Sequence, residues 1–251
     1  MIPSETWLKT WNEKRNLLAC PNNLNDYFEE TVVAGKKIDH LELGSVSIPT
    51  GDILVRDPLV YIQKDAEPYL IKVPTGEFPV TAAVVVPDDE DCARYAAVKV
   101  QFTAYDAIRF EEALIGTEDL VDFNEGEFFG FNVDAGLGCV LDKETLKHFC
   151  AFQDKFNKEN PGKNLYDDYF AAFFATNYAE NPTYQREGGD WINWKIPGTE
   201  YHIPFFQSGF GDGTYPVYYG FDIDGNICSL IIQFIDIELA YGEEGYITGR
   251  G

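Results

Sequence analysis

Histidine is scarce in this chain of 251 residues, and short motifs that identify common enzyme classes are missing. The three histidines, His40, His148 and His202, form no H-E-x-x-H or comparable metal-binding spacing. The sequence also lacks G-x-S-x-G, a phosphate-binding loop and a dinucleotide fingerprint. Any catalytic site must therefore be built from other residue types.

Long apolar runs and paired cysteines are missing too. No run approaches the ~20 residues that a helix needs to cross a bilayer, and residues 1–7 lack the pattern of a signal peptide. The cysteines are odd in number and form no C-x-x-C pair: Cys20, Cys92, Cys139, Cys150 and Cys228. We therefore expect a cytoplasmic chain with buried thiols and no membrane contact.

Basic residues are few, with 19 lysines and arginines against 42 acidic residues and a formal net charge of −23. This charge repels phosphate backbones and anionic lipid, which excludes nucleic acid and membrane surfaces as partners. It fits a basic protein partner, mimicry of DNA, or solubility alone. The densest acidic run, Asp88–Asp91, follows Pro87 and is typical of a solvated turn.

Apolar residues are plentiful, at 45% of the chain with 15% aromatic, which predicts a folded core. Ser4 is a cap for a first helix ending near Leu18, and a second helix is predicted from Leu24 to Val33. Asp142 caps a helix to about Asn157, and another begins at Asn164.

Short β-branched runs separated by turn residues predict strands after residue 40. Single strands are expected at Leu43–Ile48, Ile53–Val55 and Leu59–Ile62. Hairpins are expected for Phe78–Val86 with Tyr95–Phe102, for Phe128–Val133 with Leu137–Leu141, and for Tyr215–Ile223 with Asn226–Ile237. The last of these turns at Asp224-Gly225, which is a strong local hairpin signal.

Two stretches of the chain align without gaps, Ile48–Asp57 with Val133–Asp142. Further matches follow in the same order: Gly76–Val80 with Gly213–Val217, and Gln101-Phe102 with Gln233-Phe234. We interpret these matches as an internal duplication; the alternative is that strand turns reuse the same residues.

The predicted fold class is α+β, mainly antiparallel β built from two related hairpin units. We expect a single domain over residues 1–251, with an N-terminal helical segment (1–40), a first β-unit (41–105) and a second β-unit (128–240). A helical insertion (143–178) interrupts the second unit.

The segment 208–217 is the richest candidate site, because three glycines surround Asp212 and allow close backbone approach. Its carboxylate is a candidate base or metal ligand, or it pins the loop as an Asx-turn. Asp57 and Asp134 would join Asp212 if the two units pack face to face, forming a divalent-cation or acid/base site. Alone, each of these aspartates is typical of a turn cap. Ser208 and Tyr215 are further catalytic candidates, and no other cofactor is evident.

Two other patterns carry weaker signals. Aromatic residues could line a groove for a sugar or peptide, or fill the core: Trp191, Trp194, Tyr201, Phe205 and Phe206. The segment 222–226 superficially resembles a calcium loop, but its glycine comes too early and Gln233 stands where a bidentate Glu is needed. A hairpin turn is the better interpretation.

Four segments in a fixed order carry a family resemblance. They are GSVSIPTGDILVRDPL from Gly44, PTGEFPV from Pro74, VDAGLGCVLD from Val133 and SGFGDGTYPVYYGFDIDG from Ser208, with a closing QF. Over roughly residues 40–240 the chain resembles DUF4241, a mainly bacterial family of uncharacterised proteins. One departure is Phe110, where the family pattern leads us to expect Trp. The resemblance marks motif positions without implying an activity, cofactor or fold: Asp57, Asp134, Gly209, Asp212 and Tyr215.

Two functions compete at this point. The first is a protein-binding role, as an immunity-like or regulatory factor, which the acidic charge and the absence of a catalytic motif favour slightly. The alternative is a metal-dependent or acid/base hydrolase acting on a small molecule through Asp57, Asp134 and Asp212, with these carboxylates in one cleft.

Overall fold

A computed structural model of the chain describes residues 2–86 and 93–242. Its helices are α1 (Glu5–Lys14), α2 (Asp26–Glu29), α3 (Lys143–Glu159), α4 (Ala171–Glu180) and α5 (Ile237–Tyr241). A 3-10 helix (Arg15–Leu18) extends α1, and a π-helix (Tyr166–Phe170) runs directly into α4. With the antiparallel sheets below, these elements confirm the predicted α+β class.

The strands form three antiparallel sheets. Their bounds are β1 (Val32–Val33), β2 (Lys36–Ile48), β3 (Ile53–Arg56), β4 (Gly76–Val86), β5 (Arg94–Gln101), β6 (Arg109–Glu112), β7 (Phe131–Val133), β8 (Leu137–Asp142), β9 (Trp191–Lys195), β10 (His202–Gln207), β11 (Gly213–Tyr215), β12 (Val217–Phe221) and β13 (Ile227–Gln233). The seven-stranded sheet has the order β1-β2-β4-β5-β13-β12-β6. The four-stranded sheet has the order β3-β8-β10-β9, and β7 pairs with β11.

Two apolar cores hold these layers together. The larger core is built mainly from strands of the seven-stranded sheet, and every residue of β13 is buried. Burial on both faces explains why this strand lacks apolar–polar alternation. The second core lies between the four-stranded sheet and the inserted helices, where the Trp194 ring meets Phe170 at 5.1 Å and Phe149 at 5.7 Å between centroids.

The predicted hairpins have different outcomes. β4 with β5 and β12 with β13 are antiparallel pairs, as expected. Asp222 Oδ1 accepts hydrogen bonds from the N–H groups of Asp224 at 3.0 Å and Asn226 at 2.9 Å, which confirms a hairpin turn there. The acidic run 88–91 lies outside the described residues.

The expected hairpin around 134–136 is wrong. β7 pairs with β11, whereas β8 pairs with β3 and β10, so the strands on either side of this loop belong to different sheets. The predicted strand at 59–62 is also wrong. Asp57 Oδ1 accepts hydrogen bonds from the Leu59 and Val60 N–H groups, and this capped turn replaces extended backbone.

The N-terminal segment differs from the prediction in extent. Ser4 caps α1 by accepting from the Trp7 N–H at 3.1 Å, as expected. The second helix covers only Asp26–Glu29, because the chain is already paired as β1 at Val32. Strands β1 and β2 therefore begin at Val32 and Lys36, inside the stretch 1–40 that was expected to be helical.

The aligned stretches use the same strand register. Ile48 pairs with Gly76 in the first stretch, and Val133 pairs with Gly213 in the second. The matching strands β3 and β8 then pair with each other, as do β5 and β13. Two strands of the first aligned set thus lie beside their counterparts, whereas β2 and β4 lie in a different sheet from β7 and β11.

Within the described residues no helix has both the length and the apolarity to cross a membrane. Cys139, Cys150 and Cys228 are buried free thiols and Cys20 is a half-buried one, as expected. Cys92 lies outside the described residues.

Candidate functional site

The three predicted aspartates lie at one loop, residues 134–136. Asp134 belongs to this loop, and the carboxylates of Asp57 and Asp212 bind its backbone N–H groups. Asp57 is fully buried, and its Oδ2 accepts hydrogen bonds from the N–H groups of Asp134 at 3.0 Å and Ala135 at 2.7 Å. Asp212 Oδ1 accepts one from the Gly136 N–H at 3.1 Å. The carboxylates of Asp57 and Asp212 therefore position the loop that carries Asp134.

Asp142 is the counterpart of Asp57 in the aligned stretches, and it makes the reciprocal contact. It is fully buried, and its Oδ2 accepts from the N–H of Thr50 at 3.0 Å and from the Thr50 hydroxyl at 2.9 Å. Its Oδ1 caps α3 by accepting from the Glu144 N–H at 2.7 Å. Each buried aspartate thus binds the turn of the opposite stretch and caps the turn that follows it.

Asp134 has an exposed side chain, which accepts a hydrogen bond from the Tyr61 hydroxyl. This bond is the leading cause that raises the pKa of Tyr61 above its ordinary value. Among residues 2–86 and 93–242, no group of three or more His, Cys, Asp or Glu side chains is arranged to hold a metal ion. The geometry therefore supports loop pinning by these aspartates.

Ser208 and Tyr215 fasten the glycine-rich loop from inside. The Ser208 hydroxyl donates to the Gly211 carbonyl at 2.7 Å, and the Tyr215 hydroxyl donates to the same carbonyl at 2.8 Å. Burial raises the pKa of Tyr215. Gly209 has φ +60°, and a Cβ there would lie 2.9 Å from the Cβ of Phe234. This loop is consequently held in one shape that only glycine allows at Gly209.

A cleft of about 580 Å³ opens beside these two loops, and we call it the donor cleft. Its walls come from both motif loops, from the π-helix and from two arginines: Leu59, Arg94, Ala135, Gly136, Leu137, Asn164, Tyr166, Asp167, Arg186, Gly189, Asp190, Gln207, Ser208, Gly209, Phe210, Gly211 and Asp212. π-Helical turns are frequent at functional sites. Three segments that carry the family resemblance therefore meet at one concave surface.

Hydrogen-bond donors without partners line the donor cleft. The side chain of Gln207 is 3% exposed, and its Nε2 is sealed from solvent with no hydrogen-bond partner in the described part of the chain. The backbone N–H groups of Gly209, Phe210 and Asp212 likewise donate no hydrogen bond to any described residue. Buried donors are normally satisfied, so an unsatisfied one in a cleft wall requires an explanation.

The two arginines of the donor cleft differ. Arg186 donates from Nε at 2.8 Å and from a terminal nitrogen at 2.6 Å to the buried Asp190, which offsets much of its charge. Among the described residues, the Arg94 guanidinium donates only to the neighbouring Ala93 carbonyl, at 3.3 Å, and it forms no ion pair. Arg94 is therefore the cation of this cleft that has no ion-pair partner in the described part of the chain.

Of the two interpretations of the aromatic residues, burial supports core filling for four of them, and Tyr201 is half-buried. Trp194 is 2% exposed, whereas Phe205 and Phe206 are fully buried. Sequence reasoning also missed Arg94, Arg186 and Gln207, which lie far apart in the chain and meet only in the fold. The glycine-rich loop was the part of this site that the sequence signalled.

The fold and cleft define an antiparallel α+β protein whose motif loops line a concave, donor-rich site. The family model described as a protein of unknown function (DUF4241) matches residues 46–232, so the chain belongs to that family. No curated protein and no solved structure gives a significant match to the chain.

Proposed function

We propose that this protein binds a small anionic molecule in the donor cleft, through carboxylate or phosphate oxygens. The observation that carries this proposal is the unsatisfied amide of Gln207 in the cleft wall. The Gln207 Nε2 has no hydrogen-bond partner among the described residues, and rotation of the terminal amide exchanges its nitrogen and oxygen without changing its shape. An acceptor-bearing ligand beside it would satisfy a group that the chain itself leaves unpaired.

The surroundings of Gln207 support the same chemistry. Arg94 supplies a cation without an ion-pair partner in the described chain, and the glycine-rich loop supplies backbone N–H groups. Guanidinium and backbone N–H groups together are the usual protein ligands of carboxylates and phosphates. The volume of about 580 Å³ suits a small molecule.

Titration with inorganic phosphate and with succinate, followed by ¹⁵N NMR, tests this proposal. We expect shifts in the amides of residues 208–212, and at least tenfold weaker binding in R94Q because a guanidinium–anion contact contributes about 1.5–3 kcal/mol. The matched control is K155Q, which removes the same charge from an exposed side chain of α3. Equal weakening by R94Q and K155Q, or no binding of either anion, would contradict the proposal.

The two functions considered from the sequence stay predictions. The net charge of −23 still supports a basic protein partner. The hydrolase finds less support, since both oxygens of Asp57 accept hydrogen bonds from backbone N–H groups. A cytoplasmic location and a bacterial source also stay predictions.

We also propose that the chain arose by internal duplication. The shared register of Ile48 with Gly76 and of Val133 with Gly213 supports this, as do the reciprocal contacts of Asp57 and Asp142. Superposition of residues 46–57 and 76–101 on residues 131–142 and 213–233 tests it. Strands that fail to superpose in this register would leave shared turn chemistry as the explanation.

A further inference from the structure

Two adjacent glutamates of β6, Glu111 and Glu112, are equally buried but differently paired. Glu111 is 4% exposed, and its carboxylate lies 2.8 Å from both the Arg15 Nε and an Arg109 terminal nitrogen. Successive side chains of a strand point to opposite faces, so these cations cannot also serve Glu112. Glu111 is therefore a buried carboxylate whose charge is balanced by two arginines of the chain.

Within residues 2–86 and 93–242, Glu112 has no such counter-charge. It is 3% exposed, and its Oε1 accepts hydrogen bonds from the Phe129 and Gly130 N–H groups, each at 2.8 Å. Its Oε2 accepts no hydrogen bond within the described residues, yet it is not among the polar atoms sealed from solvent. That oxygen therefore opens onto the cleft that Glu112 lines. Burial raises the pKa of Glu112 to about 7.

This second cleft, which we call the acidic cleft, has a volume of about 730 Å³. Its described charged lining residues are all acidic: Glu112, Glu125, Glu127 and Asp236. Its aromatic lining residues are Phe128, Tyr215, Tyr218 and Phe234. The cleft thus combines an unpaired buried carboxylate with apolar walls, and no lysine or arginine of the described chain lines it.

The remaining titratable groups near Glu112 do not supply a positive charge. Burial raises the pKa of the Cys20 thiol to about 11 and the pKa of the Tyr218 hydroxyl well above its ordinary value, so both stay neutral. The Glu118 carboxylate adds a negative field that raises the pKa of Glu112 further. Since no lysine or arginine of the described residues lines this cleft, a cationic ligand would match the Glu112 carboxylate in sign.

We propose that the acidic cleft binds an organic cation, an ammonium or guanidinium group on an apolar stem. The charged group pairs with Glu112 Oε2, as Arg15 and Arg109 pair with Glu111, and the stem packs against the aromatic wall. Such a group is carried both by small amines and by the lysine or arginine side chains of a basic protein. This site is separate from the donor cleft and does not depend on its ligand.

Titration with n-butylguanidinium at pH 8, followed by NMR of the tyrosine and phenylalanine rings, tests the proposal. We expect saturable binding to the wild type and at least tenfold weaker binding to E112Q, which keeps the acceptor for Phe129 and Gly130. The matched control, E200Q, removes the same charge from a side chain that is 92% exposed. A second variant, F128A, shortens the wall while leaving Glu112 intact, and we expect a few-fold loss.

The pH dependence of affinity tests the role of Glu112, and a second probe distinguishes a small-molecule ligand from a protein ligand. Affinity should rise as the pH passes about 7, because Glu112 must lose its proton to bind a cation, and E112Q should lose this rise. Binding of free n-butylguanidinium supports a small-molecule source. Binding only of a glycine-flanked arginine peptide supports a protein source. No binding of either probe, or equal binding to wild type and E112Q, overturns the proposal.

Discussion

The donor cleft and the acidic cleft are opposite in chemical sign, although both are lined by the segment 208–217. Residues 208–212 face the donor cleft, where the polar group left unpaired is the Gln207 amide. Thr214, Tyr215 and Pro216 line the acidic cleft, where Glu112 Oε2 accepts no hydrogen bond from a described residue. Each of these two concave surfaces therefore carries a buried polar side chain with an atom that no described residue pairs, and the two surfaces share one loop.

This contrast shows that net charge does not predict the chemistry of a site. The chain carries a net charge of −23, yet Arg94 lies in one cleft without an ion-pair partner in the described residues. The acidic cleft follows the overall charge, and a basic ligand would be attracted to it. Variants that affect one cleft and spare the other are the direct way to test the comparison.

The largest effect is expected for D57A. Removal of this buried carboxylate leaves four backbone N–H groups without their acceptor, which should lower the free energy of unfolding by about 4 kcal/mol. The loop 134–136 would also lose its attachment, so anion binding in the donor cleft should disappear while the Glu112 titration persists. Urea denaturation and NMR titration measure these two quantities.

The matched control for D57A is D142A. Asp142 is equally buried and makes the reciprocal contacts, but it holds Thr50 and caps α3, which do not line the donor cleft. We expect a comparable loss of stability with anion affinity retained. Loss of anion binding in both variants would show that the effect of Asp57 is global.

The second largest effect is the pH dependence of stability that Glu112 produces. Its pKa is about 7 in the folded chain against an ordinary value of 4.5, so its stabilising contribution is present below pH 4.5 and is lost as the pH rises through 7. The wild type should therefore lose about 3 kcal/mol relative to E112Q over this interval. Thermal or urea unfolding of both chains at pH 4.5 and pH 8 measures the difference. A constant difference would contradict an uncompensated Glu112.

Local features of this fold were predictable from the sequence. The Asp-Gly turn before β13 and the capping of α3 by Asp142 depend on neighbouring residues, and both are present. The sequence suggested that Asp57 and Asp134 would join Asp212 if the two units packed face to face, and in the fold Asp57 and Asp212 both bind the loop that carries Asp134. The role of these aspartates was not predictable, because the sequence does not show whether an aspartate binds backbone N–H groups or a ligand.

Non-local pairing explains the remaining misses. β7 and β8 are adjacent in sequence but pair with β11 and β3, and this depends on strands that lie far along the chain. The sequence contains one weak indication of the acidic cleft, which is the pair of glutamates that follows Phe110 in a strand. Nothing in that signal distinguishes Glu111, whose counter-charges come from Arg15 and Arg109, from Glu112.

Q207M should produce a smaller effect, with opposite signs for stability and binding. Methionine keeps the length of the side chain but removes an amide that has no partner, which should stabilise the folded chain by about 1 kcal/mol. The same change should weaken anion binding in the donor cleft and leave cation binding in the acidic cleft unchanged. Destabilisation would instead show that the amide is satisfied within the chain.

The smallest effect is expected for D212N, and it distinguishes ligand binding from the predicted hydrolase. Asparagine keeps an acceptor oxygen for the Gly136 N–H, so stability should change by less than about 0.5 kcal/mol. Because a negative charge leaves the wall of the donor cleft, anion affinity should rise a few-fold, by about 0.5 kcal/mol. D122N removes the same charge from an exposed position outside that cleft and should leave affinity nearly unchanged. Weaker anion binding in D212N would show that the Asp212 carboxylate contacts the ligand or an ion directly, as the hydrolase requires.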